Sequence, residues 1–124
     1  MKRTLIVLFS TALLTGAIAQ TGRADFFANL TGAGKGKASW KLRDSAFLFQ
    51  AQLEVGGENL PKNTALKVRI VNNTWNVVTD AFGRFKLTKT YTTSVRPVIG
   101  AGTVVRVTRT NGTVALSGSF VRTR

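Results

Sequence analysis

From Ala24 onward apolar and polar residues alternate with a period of two, and no stretch sustains a helical period. Residues 25–30 read as a short first strand, followed by the loop Gly32-Ala33-Gly34-Lys35-Gly36. Residues 37–43 turn Ala38, Trp40 and Leu42 to one face and Lys37, Ser39, Lys41 and Arg43 to the other. Residues 46–55 send Phe47, Phe49, Ala51, Leu53 and Val55 inward and Gln50, Gln52 and Glu54 outward. Gly56-Gly57 and Pro61-Lys62-Asn63 punctuate a loop. Residues 65–71 bury Leu66, Val68 and Ile70, and Asn72-Asn73 is the expected two-residue turn into a strand over 74–79. Asp80-Ala81-Phe82-Gly83 is a further turn, since Asp accepts backbone hydrogen bonds and Gly adopts the left-handed conformation.

Residues 84–90 place Phe85 and Leu87 inside. Pro97 marks 95–99 as an edge strand, because Pro cannot donate to a ladder. Residues 103–109 and 113–121 pair across Asn111-Gly112, the strongest short hairpin signal in the chain. Strands and turns at this spacing predict an all-β fold, an antiparallel β-sandwich of about 7–9 strands (Ig-like or similar), with a small β-barrel as the alternative.

The first nineteen residues follow a different logic. Lys2 and Arg3 precede an apolar run over 4–14, too short to span a bilayer, and Ala17-Ile18-Ala19 supplies small residues for a peptidase. The expectation is a signal peptide over 1–19, cleaved after Ala19, and a single all-β domain over 20–124 with no transmembrane segment. The mature chain would be soluble, exported, bacterial, and periplasmic or extracellular.

The chain of 124 residues has no Cys and no His. That removes disulfides, thiolate metal sites, cysteine nucleophiles and the commonest general base. The loop before Lys37 invites a phosphate-loop reading, but Ala38 stands where a hydroxyl should hold magnesium and Thr31 where the first Gly should be. The five acids, Asp25, Asp44, Glu54, Glu58 and Asp80, form no evident catalytic pair or calcium loop. No S-x-x-K arrangement occurs. The sequons at Asn29, Asn72 and Asn111 read as turn chemistry. No enzyme, cofactor or metal site is expected.

Charge is the informative quantity: 18 Lys+Arg against 5 Asp+Glu, a formal net charge of +13. Loss of Lys2 and Arg3 with the signal peptide would leave +11. The alternation sends Lys37, Lys41, Arg43, Lys67, Arg69, Arg84 and Lys86 away from the core, with Lys35 in the adjoining loop. If their strands share a sheet, these eight residues form one cationic, anion-binding face. For an exported protein the expected partner is an anionic polysaccharide, lipopolysaccharide or other polyanion. Trp40, Phe47, Phe49, Phe85 and Phe120 fall on the apolar face, so stacking on nucleic-acid bases is not indicated. Two other readings compete: a lysine-rich outer face that only keeps the protein soluble, and a structural or adhesion subunit that self-associates by edge-strand pairing near Pro97 or the N-terminal strand.

The run 79–85, then Pro97, residues 102–107 and residues 111–120 together resemble the ending of small exported bacterial β-sandwich proteins. The resemblance covers the C-terminal third and rests on turn glycines and alternating valines. More distantly the chain is similar to chordin-type secreted modules, whose frequent histidines it lacks. The resemblance implies a non-catalytic envelope or extracellular module and assigns no functional residue.

Overall fold

A computed structural model describes residues 22–45, 48–92 and 96–124. The expected signal peptide and its cleavage site lie outside the described residues, as do Phe47 and Val95. Nine strands follow one another in the described residues: β1 (Gly22–Gly32), β2 (Lys35–Asp44), β3 (Phe49–Glu58), β4 (Ala65–Ile70), β5 (Asn73–Val78), β6 (Phe85–Tyr91), β7 (Val104–Arg109), β8 (Val114–Ser119) and β9 (Val121–Arg122). Among the described residues there is no helix.

All pairings are antiparallel and belong to one sheet, in the order β5-β4-β7-β8-β1-β2-β3-β6, with β9 on β1. The two ends of that order, β5 and β6, approach each other, so the sheet is nearly closed into a barrel. The pairing fits the barrel alternative and does not confirm a two-sheet sandwich. Two walls can nevertheless be told apart by ladder length. β1, β2, β3 and β6 form one, in which β1 with β2 and β2 with β3 each match over ten residue pairs. β5, β4, β7 and β8 form the other. The joint between them is short: Thr31↔Ser117 and Gly32↔Leu116 join β1 to β8, and β9 adds Phe26↔Arg122 and Phe27↔Val121.

The period-two pattern produces the interior directly. Ala38 and Trp40 of β2, Ala51, Leu53 and Val55 of β3, Leu66, Val68 and Ile70 of β4, and Val105 and Val107 of β7 are all buried. Trp40, Phe120, Leu30 and Leu116 are the bulky side chains that fill the space between the walls, so the interior is packed and not a channel. Burial of this apolar surface is the main stabilising term.

Several boundaries differ from the sequence expectation, each for a physical reason. Gly56 and Gly57 are not loop punctuation; they lie inside β3. Gly57 stands opposite Gly36 at an inward position, where a Cβ would meet Phe85 Cε1 at 2.5 Å and Leu116 and Leu60 Cδ1 at 3.1 Å. The glycine pair makes room for Leu116, which the other wall sends across. The loop expected over 32–36 shrinks to Ala33-Gly34, and Lys35 opens β2. The β4–β5 turn is Val71-Asn72, not Asn72-Asn73, because Ile70 pairs with Asn73. Val71 consequently takes φ 56°, a region a β-branched residue seldom enters. Residues 96–99 form no strand, and Pro97 is buried in the β6–β7 connection, so it marks no edge. β3 starts at Phe49, not at residue 46.

The turn at 80–83 forms as expected. Asp80 Oδ1 accepts the N–H of Phe82 at 2.8 Å and of Arg84 at 2.9 Å, and Gly83 has φ 75°. The β3–β4 loop is stitched to this turn by the buried Thr79. Its hydroxyl donates to Pro61 O at 2.6 Å and accepts the Thr64 N–H at 2.8 Å.

Candidate functional site

The eight cations singled out by the alternation lie on β2, β4 and β6 and in the turn before β6, seven of them exposed and Arg43 half-buried. They do not share one face. In the nearly closed sheet β2 and β4 are four strands apart whichever way the barrel is followed. Lys67 and Arg69 therefore stand on the wall opposite Lys35, Lys37, Lys41 and Arg43.

On the first wall the register brings Lys37, Gly56 and Lys86 into one outward row across β2, β3 and β6. The missing side chain of Gly56 leaves a trough between two lysines. It opens into a groove of about 1240 Å³ that Lys35, Arg84, Glu54, Glu58 and Asp80 also line. Carboxylates offset much of the positive charge here. Lys35 Nζ lies 3.5 Å from Glu58 Oε2, and Arg84 Nε 3.8 Å from Asp80 Oδ2. The Asp80 carboxyl is held below its ordinary pKa first by the backbone N–H groups of Arg84 and Phe82. Its role is to set the turn.

Arg43 is committed elsewhere on the same wall. Its Nη1 donates to Asp25 Oδ1 at 2.7 Å and to Leu42 O at 2.8 Å. Asp25 also faces Arg23 and Arg124, each 4.0 Å away. The hydrogen bond from Arg43 is the main cause of a lowered Asp25 pKa; partial burial opposes it, and the three guanidinium charges add to it. Arg43 thus already holds an anion, one supplied by its own chain.

The second wall has a different composition. All five acids of the chain lie on β1, β2, β3 or the β5–β6 turn, and none on β4, β5, β7 or β8. Arg69 of β4 stands directly opposite Arg106 of β7. The two guanidinium-bearing side chains, with Val71, Thr103 and Val104, line a hollow of about 250 Å³. Lys67 lies two residues further along β4, beside Thr108 and Asn76. Arg69 Nε donates to Val71 O at 3.4 Å.

Arg106 was not among the residues singled out from sequence. The alternation of Val105 and Val107 does point it outward, but its pairing with Arg69 is a contact between distant strands. Arg109 is a different case. A register shift between Val107 and Thr108 precedes it, and it pairs with the inward Leu66, its Nε buried without a hydrogen-bond partner.

Aromatic side chains serve the core more than either surface. Trp40, Phe85 and Phe120 are buried, and Phe49 is half-buried beneath the Arg96 guanidinium at 4.2 Å. Tyr91 packs 5.9 Å from Trp40, and burial raises its phenol pKa. Among the described residues Phe82 is the exposed exception, with Arg84 at 5.1 Å over its ring. No helix among the described residues is long and apolar enough to cross a membrane. Compared with protein-family models, curated proteins and solved structures, the chain finds no match.

Proposed function

We propose that this protein is an exported, non-catalytic β-barrel module that contacts an anionic envelope or extracellular polymer through its basic outer surface. The observation that supports the reading best is the asymmetry of charge. Lys67, Arg69 and Arg106 are exposed on a wall that carries no carboxylate, whereas Arg43, Lys35 and Arg84 each have an acid partner. Cations left without internal counterions hold a diffuse ion atmosphere and draw a polyanion through long-range potential and counterion release. Lys37, Lys41 and Lys86 extend the basic surface around the barrel and would add affinity without fixing a register.

Edge-strand assembly has less support. β1, one of the two edges considered, is an interior strand, paired with β2 on one side and with β8 and β9 on the other, and residues 96–99 around Pro97 form no strand.

Retention on immobilised heparin or purified lipopolysaccharide tests the reading. Binding should fall steeply between about 50 and 200 mM salt. Charge reversal at Lys67, Arg69 and Arg106 should lower retention more than reversal at Lys35, Arg43 and Arg84. Retention indifferent to salt, or equally reduced by both triple variants, would count against it.

A further inference from the structure

We infer that Arg69 and Arg106 form a discrete site for a single phosphate group, a phosphomonoester or phosphodiester, within the wider basic wall. The inference rests on the polyanion reading and makes it specific. Three observations meet at one place. Two arginines stand opposite each other on neighbouring strands, an arrangement that repels and destabilises a sheet when nothing lies between the charges. The side chains line a hollow of about 250 Å³, large enough for a tetrahedral anion and its water. No acidic residue lies on β4, β5, β7 or β8 to neutralise the pair.

The chemistry favours phosphate over carboxylate. One guanidinium fork already satisfies both oxygens of a carboxylate. Two forks from adjacent strands match a group that offers three or four oxygens and up to two negative charges. The Val71 carbonyl takes the Arg69 Nε–H at 3.4 Å, which leaves the terminal Nη donors of Arg69 for the ligand. The exposed Val71 and Val104 beside the hollow would tolerate either a polymer backbone or the interfacial part of a lipid headgroup.

The test is a titration of the full mature chain with inorganic phosphate at constant ionic strength, followed through the Arg Nε–H resonances. Arg69 and Arg106 should shift together and saturate with one Kd of millimolar order, while sulfate-free chloride controls leave them unmoved. Arg69→Lys and Arg106→Lys keep the charge and remove the fork; each should weaken phosphate binding about tenfold, and the double variant little more than either alone. Arg106→Gln should raise the urea midpoint at low salt, because it removes the like-charge contact, and a cooperative urea transition in each Lys variant shows that it folds.

Soluble polyphosphate and vesicles containing phosphatidylglycerol then separate the sources. The natural source is the one whose binding inorganic phosphate displaces and the Lys variants lose. Non-saturating shifts, or Lys variants that bind phosphate as the parent does, overturn the site. If heparin retention keeps its salt dependence in that event, the site alone has failed; if retention is lost as well, the polyanion reading fails with it.

Discussion

The two walls of the barrel carry similar alternation and opposite charge management. The wall of β1, β2, β3 and β6 mixes cations with four of the five acids, and its arginine nearest an acid, Arg43, is locked at 2.7 Å to Asp25. The wall of β4, β5, β7 and β8 has no acid and sets Arg69 against Arg106. A solubilising surface needs only the first arrangement: charges of both signs, interspersed. The second places like charges side by side with no acid on the same strands. The first wall also sets Arg23 opposite Arg43, but there Asp25 lies against both guanidinium groups; the Arg69–Arg106 pair has no such carboxylate.

The comparison extends to the interior, where the largest effects are expected. Trp40 on the first wall is buried, whereas Trp75 on the second is half-buried at the core margin. Trp40→Ala should cost about 4 kcal/mol in urea unfolding and Trp75→Ala about half of that. Equal losses would show that the two walls contribute alike to the core. Next in size is Gly118→Ala at the joint. A Cβ there would run into the backbone carbonyl of Asn29 across the β8–β1 boundary. About 2 kcal/mol of destabilisation is expected, with amide exchange of β8 accelerated more than that of β2 and β3.

A smaller effect has the opposite sign. Val71→Gly relieves the left-handed φ and should stabilise by about 1 kcal/mol; a loss of stability would mean that the Val71 side chain matters more than its backbone. The smallest effect concerns acid. Asp25 has a folded pKa below its unfolded value because Arg43 donates to it. Its contribution is therefore fully present above the unfolded pKa near 3.8 and disappears as pH falls through the lower folded value. The urea midpoints of the parent and of Asp25→Asn should differ at pH 7 and converge as the pH is taken below the unfolded value of 3.8 and through the lowered folded one. Arg69 and Arg106 variants should show no such convergence, since no carboxylate lies on their wall.

Residue by residue, the in-or-out placement is legible in the sequence. Phe85 and Leu87, Leu66, Val68 and Ile70, and Ala51, Leu53 and Val55 are buried where alternation puts them. Alternation reads a residue's own strand, and that is also its limit. Which strands lie side by side depends on contacts between residues far apart in sequence, so the eight expected cations were grouped on one face that the strand order divides. The Arg69–Arg106 pairing was missed for the same cause. Gly56-Gly57 was misread because a glycine can end a strand or empty a space inside one. Phe85, Leu60 and Leu116, which fill that space from elsewhere in the chain, tell the two apart. Asn72-Asn73 looked the better turn by residue preference, but keeping Ile70 inward moved the turn to Val71-Asn72.

The ladder between β1 and β8 is only two residue pairs long, though β9 continues it, and β5 and β6 meet without a ladder, so the shell has two lines of sparser pairing. Opening along either would expose Leu116 and Phe120 while most ladders within each half remain intact. Partial unfolding should therefore start as a parting of halves and not as fraying of single strands, with the seam amides exchanging first.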